Sequence, residues 1–162
     1  IEWKSEATEI VALLKENESG IALLPQPYVF AAKAALPELR VAVDLDEEWT
    51  RLENGSRMVT GVAIARKDFI EKNPDLIRDF LAEYKPSTEY VNANISESAS
   101  WVEKFGIFQA EVAEKAIPYC NITYIDGSEM RTAMEGYLNV LFEQNPKSIG
   151  GKIPDDGFYR AG

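Results

Sequence analysis

The chain has 162 residues, 46% of them hydrophobic, with 17 basic and 27 acidic side chains, a formal charge of −10 and a pI near 4.6. That length builds one core or parts of two, and the acidic balance without a dense Lys/Arg cluster argues against nucleic acid and anionic membranes as partners. Histidine is absent and Cys120 is the single cysteine, which excludes an internal disulfide, a multi-cysteine metal site and histidine acid–base chemistry, so no cofactor or metal is expected.

No apolar run approaches the roughly 20 residues of a membrane span. Ile1-Glu2-Trp3 reads as the tail of a strand, with no signal peptide before it. Ser5 is placed to cap a helix running to about Asn17, with Ile10, Leu13 and Leu14 on one face, and Ser19-Gly20 stops it. Ile21-Ala22-Leu23-Leu24 is a short apolar strand candidate, ended by Pro25-Gln26-Pro27. A helix is predicted over Tyr28 to Ala35, then a second strand over Leu39 to Leu45, buried on both faces. Asp44 to Ser56 is acidic and ends in Asn54-Gly55, which fits a surface loop or a short helix around Trp49.

Met58 to Arg66 is apolar and rich in β-branched residues, the pattern of a buried strand. Asn73-Pro74 then starts a long helix with Leu76, Ile77, Phe80, Leu81 and Tyr84 in one core-facing stripe. Pro86 should kink it between Ala82 and Ser87, since an unaccommodated interior proline costs about 3 kcal/mol. Ser96 can cap a short helix closed by Gly106, and another runs from Gln109 to Ala116. Asp126 and Glu129 have capping-box spacing ahead of a stripe through Met130, Met134, Tyr137, Leu138, Leu141 and Phe142. The tail from Asn145 to Gly162 should wrap the surface. Strands alternating with helices predict an α/β fold.

Two stretches could hold a ligand. Gln26, Pro27 and Tyr28 stand where a strand hands over to a helix, whose free amides attract anions; a rigid turn is the competing reading. Thr60-Gly61 interrupts an apolar strand, so Gly61 could admit close backbone approach and Thr60 could reach a ligand, or both could be ordinary sheet residues. Arg57 fits an exposed loop arginine better than a ligand partner. Asp44, Asp46, Glu47 and Glu48 lack calcium-loop spacing and read as a solvated charge run. Trp3, Trp49 and Trp101 read as packing residues, and the sequons at Asn94 and Asn121 are short enough to occur by chance. Cys120 has no histidine to activate it and reads as a small apolar residue.

Three stretches carry a family resemblance: Asp68-Phe69-Ile70-Glu71-Lys72-Asn73-Pro74-Asp75, Ala116 to Ile122 with Tyr124-Ile125-Asp126-Gly127 after it, and Asn145-Pro146-Lys147-Ser148-Ile149-Gly150-Gly151 through Pro154-Asp155-Asp156-Gly157-Phe158-Tyr159. Together they resemble the substrate-binding proteins of ABC importers, in the branch of nitrate, sulfonate, taurine and thiamine-precursor binders. The resemblance implies a two-lobed periplasmic-binding-protein architecture. It also implies capture of a small polar, zwitterionic or anionic solute by lobe closure, delivery to an ABC permease, and a place outside the cytoplasm as a secreted protein or lipoprotein. Its cleft-facing step falls on Gln26, where relatives often have Glu; a neutral amide both donates and accepts.

Members of that family are about twice as long, so the chain is expected to be their C-terminal half. Residues 1–57 would end lobe 2 and residues 58–162 would return to lobe 1. An enzyme is not expected. The alternatives are a thiamine-pyrimidine-synthase-like enzyme, which would want a histidine and a cysteine cluster, and an interaction fragment that binds nothing. Unpaired strands in such a half should favour a homodimer.

Overall fold

Helix signals in the sequence are well met. The computed structural model describes residues 1–17 and 19–159. Eight α-helices follow in order: α1 (Ala7–Glu16), α2 (Tyr28–Ala35), α3 (Leu45–Arg51), α4 (Lys67–Lys72), α5 (Pro74–Ala93), α6 (Ile95–Lys104), α7 (Ala110–Ala116) and α8 (Gly127–Gln144). Short 3₁₀ turns lie at Ile117–Tyr119, Pro146–Ile149 and Asp156–Phe158. The last three residues of the tail lie outside the described residues.

The α/β fold, and with it the two-lobed architecture, is not what the chain forms. Helix accounts for 61% of the described residues and none of them lies in a strand, so the chain is all-helical. The stretches read as strands, at Ile21–Leu24, Leu39–Leu45 and Met58–Arg66, are irregular segments between helices, except that Leu45 already opens α3. Their apolar, β-branched composition reports an appetite for burial. A strand also needs a neighbour aligned to share a hydrogen-bond ladder, and among the described residues none supplies one. Ile21, Leu23, Val41, Val43, Val62 and Ile64 are accordingly exposed.

Several caps differ from the expected ones. Glu6, not Ser5, caps α1, and its amide donates to the Glu9 carboxylate at 3.4 Å. Asp44 caps α3 by accepting from the amides of Asp46 and Glu47, so the acidic run forms a helix start. Asn73 closes α4, its side chain donating to the Phe69 carbonyl at 2.9 Å. Asn94 precedes α6 in place of Ser96. The Asp126 carboxylate makes no cap bond and accepts from the Tyr124 hydroxyl at 2.9 Å instead. α5 runs unbroken through Pro86. Two residues on, the Thr88 hydroxyl donates to the Lys85 carbonyl at 2.8 Å.

The chain divides into two compact units. Unit 1 comprises Ile1–Arg40 and Arg78–Thr123, and unit 2 comprises Val41–Ile77 and Tyr124–Gly162. In unit 1, α1 packs on α2, α2 on α7, and α7 on α6. Ala32, Ala99, Ala113 and Ala116 are buried where these helices meet, and small side chains allow the close approach. Ile117 joins Ala99 and Ala113 as the heart of the core, with Val91, Ile95, Val102 and Ile122 around it.

In unit 2, α8 is the spine. Trp49 packs on Tyr137 with ring centroids 5.3 Å apart, and its indole N–H donates to the Ser56 hydroxyl at 2.9 Å. Ser56 lies so close to α8 that a Cβ on Gly136 would meet its Cβ at 3.2 Å, so glycine gives this approach its room. Arg57 pairs with Glu129 at 3.2 Å. Arg131 ties the tail down: it bonds Glu135 at 2.8 Å, pairs with Asp156 and lies over the Tyr159 ring at 5.3 Å.

Candidate functional site

The sequence-derived site residues fall in both units, Gln26, Pro27 and Tyr28 in unit 1 and Thr60 and Gly61 in unit 2.

Pro27 is the residue before α2 and is joined to Gln26 by a cis peptide bond. The Pro25 carbonyl accepts from the Val29 amide at 3.3 Å, and the Pro27 carbonyl from those of Phe30 and Ala31 at 3.0 and 3.1 Å. These bonds pin the step into the helix. Tyr28 is half-buried, edge-on against Phe108 at 5.2 Å. The Gln26 side-chain carbonyl oxygen is buried and has no hydrogen-bond partner among the described residues. A buried acceptor in that state is costly, and the Ser98 and Tyr159 hydroxyls share it.

In unit 2, Thr60 and Gly61 are exposed. A Cβ on Gly61 would have no atom within 4 Å, so no close approach within the chain requires glycine there. Just beyond, an open groove of about 450 Å³ is lined by Ile64, Ala65, Arg66, Asp68, Phe69, Lys72 and Asn73. Arg66 binds Asp68 through two bonds, at 2.9 and 2.5 Å, and holds that carboxyl below its usual range. The groove was not foreseen, although Asp68, Phe69, Lys72 and Asn73, which help to line it, belong to the motif that carries the family resemblance. Phe108 was missed too, because nothing local ties it to Tyr28 eighty residues earlier.

The remaining candidates lie outside these two stretches. Trp3 and Trp101 are exposed, Trp101 with the Lys104 ammonium 6.0 Å from its ring. Cys120 is half-buried, and burial pushes its thiol above the ordinary range, away from the thiolate a nucleophile needs. Among the described residues no group of three His, Cys, Asp or Glu is placed to hold a metal ion, and no helix is long and apolar enough to cross a membrane.

No family model matches the chain, and no curated protein matches it. Among solved structures, an ABC transporter protein from Parabacteroides distasonis is similar over 99% of this chain, with 25% sequence identity and a TM-score of 0.73. The chain is thus an all-helical protein in two units, similar in structure to one ABC transporter protein. It spans 55% of the length of the Parabacteroides protein.

Proposed function

We propose that the chain belongs to the solute-binding component of an ABC importer, in the nitrate, sulfonate, taurine and thiamine-precursor branch. It works outside the cytoplasm, hands a small polar or anionic solute to a membrane permease, and performs no catalysis. The observation that supports this most is the likeness to the Parabacteroides ABC transporter protein along nearly the whole chain. The motifs at Asp68–Asp75 and Asn145–Tyr159 supply the finer assignment. Gln26 is the leading solute contact, since its buried carbonyl oxygen lacks a partner among the described residues. Pro27 and Tyr28 shape that contact in unit 1, and Thr60 with Gly61 is a separate candidate in unit 2. A second copy of the chain is a further partner.

A thermal-shift series with nitrate, taurine, a short alkanesulfonate and a thiamine-type pyrimidine tests the reading. One of them should raise the melting temperature, and calorimetry should then show that Gln26→Ala and Thr60→Val each weaken its binding about ten- to hundredfold. Unchanged affinity in both variants removes these residues from the site. Turnover of the pyrimidine that vanishes in Cys120→Ala would establish an enzyme instead.

A further inference from the structure

Asn54-Gly55 is the single Asn-Gly pair of the chain. The pair forms a bend between α3 and the irregular segment that follows, and both residues are exposed. Gly55 stands at φ +74°, in the left-handed region that glycine adopts freely, and a Cβ there would meet no atom within 4 Å. No backbone carbonyl among the described residues accepts its amide N–H. Other asparagines are better guarded against attack from the next residue. Asn73 and Asn145 precede proline, whose nitrogen carries no proton to give up, and Asn94 and Asn121 precede isoleucine, whose branched Cβ crowds the approach.

The Asn54 side chain is held in place from the other side. Its Oδ1 accepts from the Ser56 amide at 3.0 Å and from the Ser56 hydroxyl at 2.8 Å. These two bonds fold the side chain back over the Gly55 peptide and keep Cγ within reach of the Gly55 nitrogen. The Ser56 hydroxyl in turn accepts from the Trp49 indole N–H at 2.9 Å, which makes it a better donor to Asn54. Trp49 packs on Tyr137 and Ser56 sits against Gly136, so α8 anchors this relay.

We propose that Asn54 is a site of spontaneous covalent modification, converting to aspartate and isoaspartate in the folded chain. The Gly55 nitrogen gives its proton to water and bonds to Cγ of Asn54. Negative charge gathers on Oδ1 as that centre becomes tetrahedral, and the two Ser56 donors already point at it. The bond from Cγ to the side-chain nitrogen then breaks, and that nitrogen takes a proton from water and leaves as ammonia. A succinimide ring remains. Water opens it at Cγ to give aspartate, or at the main-chain carbonyl to give isoaspartate. Either product adds a negative charge to a chain that already carries −10. Isoaspartate also lengthens the main chain just ahead of Ser56 and loosens the Trp49–Ser56 bond. The proposal is independent of the solute-binding reading.

The 162-residue chain, aged in neutral buffer, should yield a more acidic species on anion exchange. Peptide mapping should place the change at Asn54, with isoaspartate recognised by its block to stepwise N-terminal degradation. Gly55→Ala should nearly abolish the reaction. Ser56→Ala removes one donor and should slow it about three- to tenfold, less than in a dry site because water competes. Trp49→Phe loosens the loop yet keeps the hydroxyl, and should slow the reaction less than Ser56→Ala does. Unfolding in urea dissolves the relay and should also slow it. Helical circular dichroism should be unchanged in the Gly55 and Ser56 variants, since the bend lies outside the helices. An Asn54 that remains an amide, earlier conversion at another asparagine, or a rate that holds or rises in Ser56→Ala or in urea overturns the assignment.

Discussion

The Asn92 side-chain amide donates to the Ile122 carbonyl at 2.8 Å and to the Thr88 carbonyl at 3.0 Å. One residue of α5 thereby ties its own helix to the segment that leaves the 3₁₀ turn, thirty positions later. Asn92→Ala leaves both carbonyls without this donor and should cost about 1–2 kcal/mol in urea unfolding. Asn92→Asp removes the donor while keeping the size, and should cost as much.

Ile117 is the largest member of the small core of unit 1, at 5% exposure beside Ala99 and Ala113. Ile117→Ala should destabilise by about 2–4 kcal/mol, because alanines cannot shift to fill the space. Ile64→Ala, at an exposed position, should leave the stability of the monomer unchanged. Equal effects in denaturant unfolding would contradict this ranking.

Gln26 sets stability against binding. Its carbonyl oxygen is buried without a partner among the described residues. Gln26→Leu should therefore hold or raise stability, by up to about 1 kcal/mol, while lowering solute affinity. Loss of stability on this substitution would mean that the amide is satisfied inside the protein.

Two exposed groups should titrate away from their ordinary values. Arg66 hydrogen-bonds the Asp68 carboxylate and lowers its pKa. The folded value lies below the unfolded one, so this pair's contribution is full above the ordinary aspartate range and fades as the pH falls through the folded value. The Tyr90 hydroxyl donates to Glu97 at 2.7 Å, which raises the phenol's pKa. That contribution is full below the ordinary tyrosine range and is lost as the pH rises through the folded value. Carboxyl-carbon NMR on Asp68 and ultraviolet titration of Tyr90 check the two directions, and Glu97→Gln should bring Tyr90 back down.

Cys120 should alkylate slowly. Burial raises its pKa, so iodoacetamide should react more slowly than with free cysteine at neutral pH, along a rate profile displaced to alkaline pH. A fast reaction at neutral pH would reveal an activated thiol and revive an enzymatic role.

Helices were legible in the sequence because their signals are local. The stripe from Leu76 to Tyr84 and that from Met130 to Phe142 both lie on the helices they predict, and Tyr28–Ala35 matches α2 residue for residue, but Leu76, Phe80 and Tyr84 are exposed and do not face a core. Strand signals failed at Ile21–Leu24, Leu39–Leu45 and Met58–Arg66 for the opposite reason. A strand is a property of two segments, and composition describes only one. Pro86 predicts a kink with the helix resuming beyond it, and α5 does run on past it to Ala93. The Tyr28–Phe108 contact had no local signature at all.

The alanines packed where α2, α6 and α7 meet carry a calorimetric consequence. Ala32, Ala99, Ala113 and Ala116 let helices touch backbone to backbone, but each hides little apolar area. The heat capacity released on unfolding scales with the apolar area newly wetted. A chain that already wets Ile21, Val62 and Ile64 when folded has little left to release, so its melting endotherm should be broad and low. Covering those residues would sharpen it without altering a single helix.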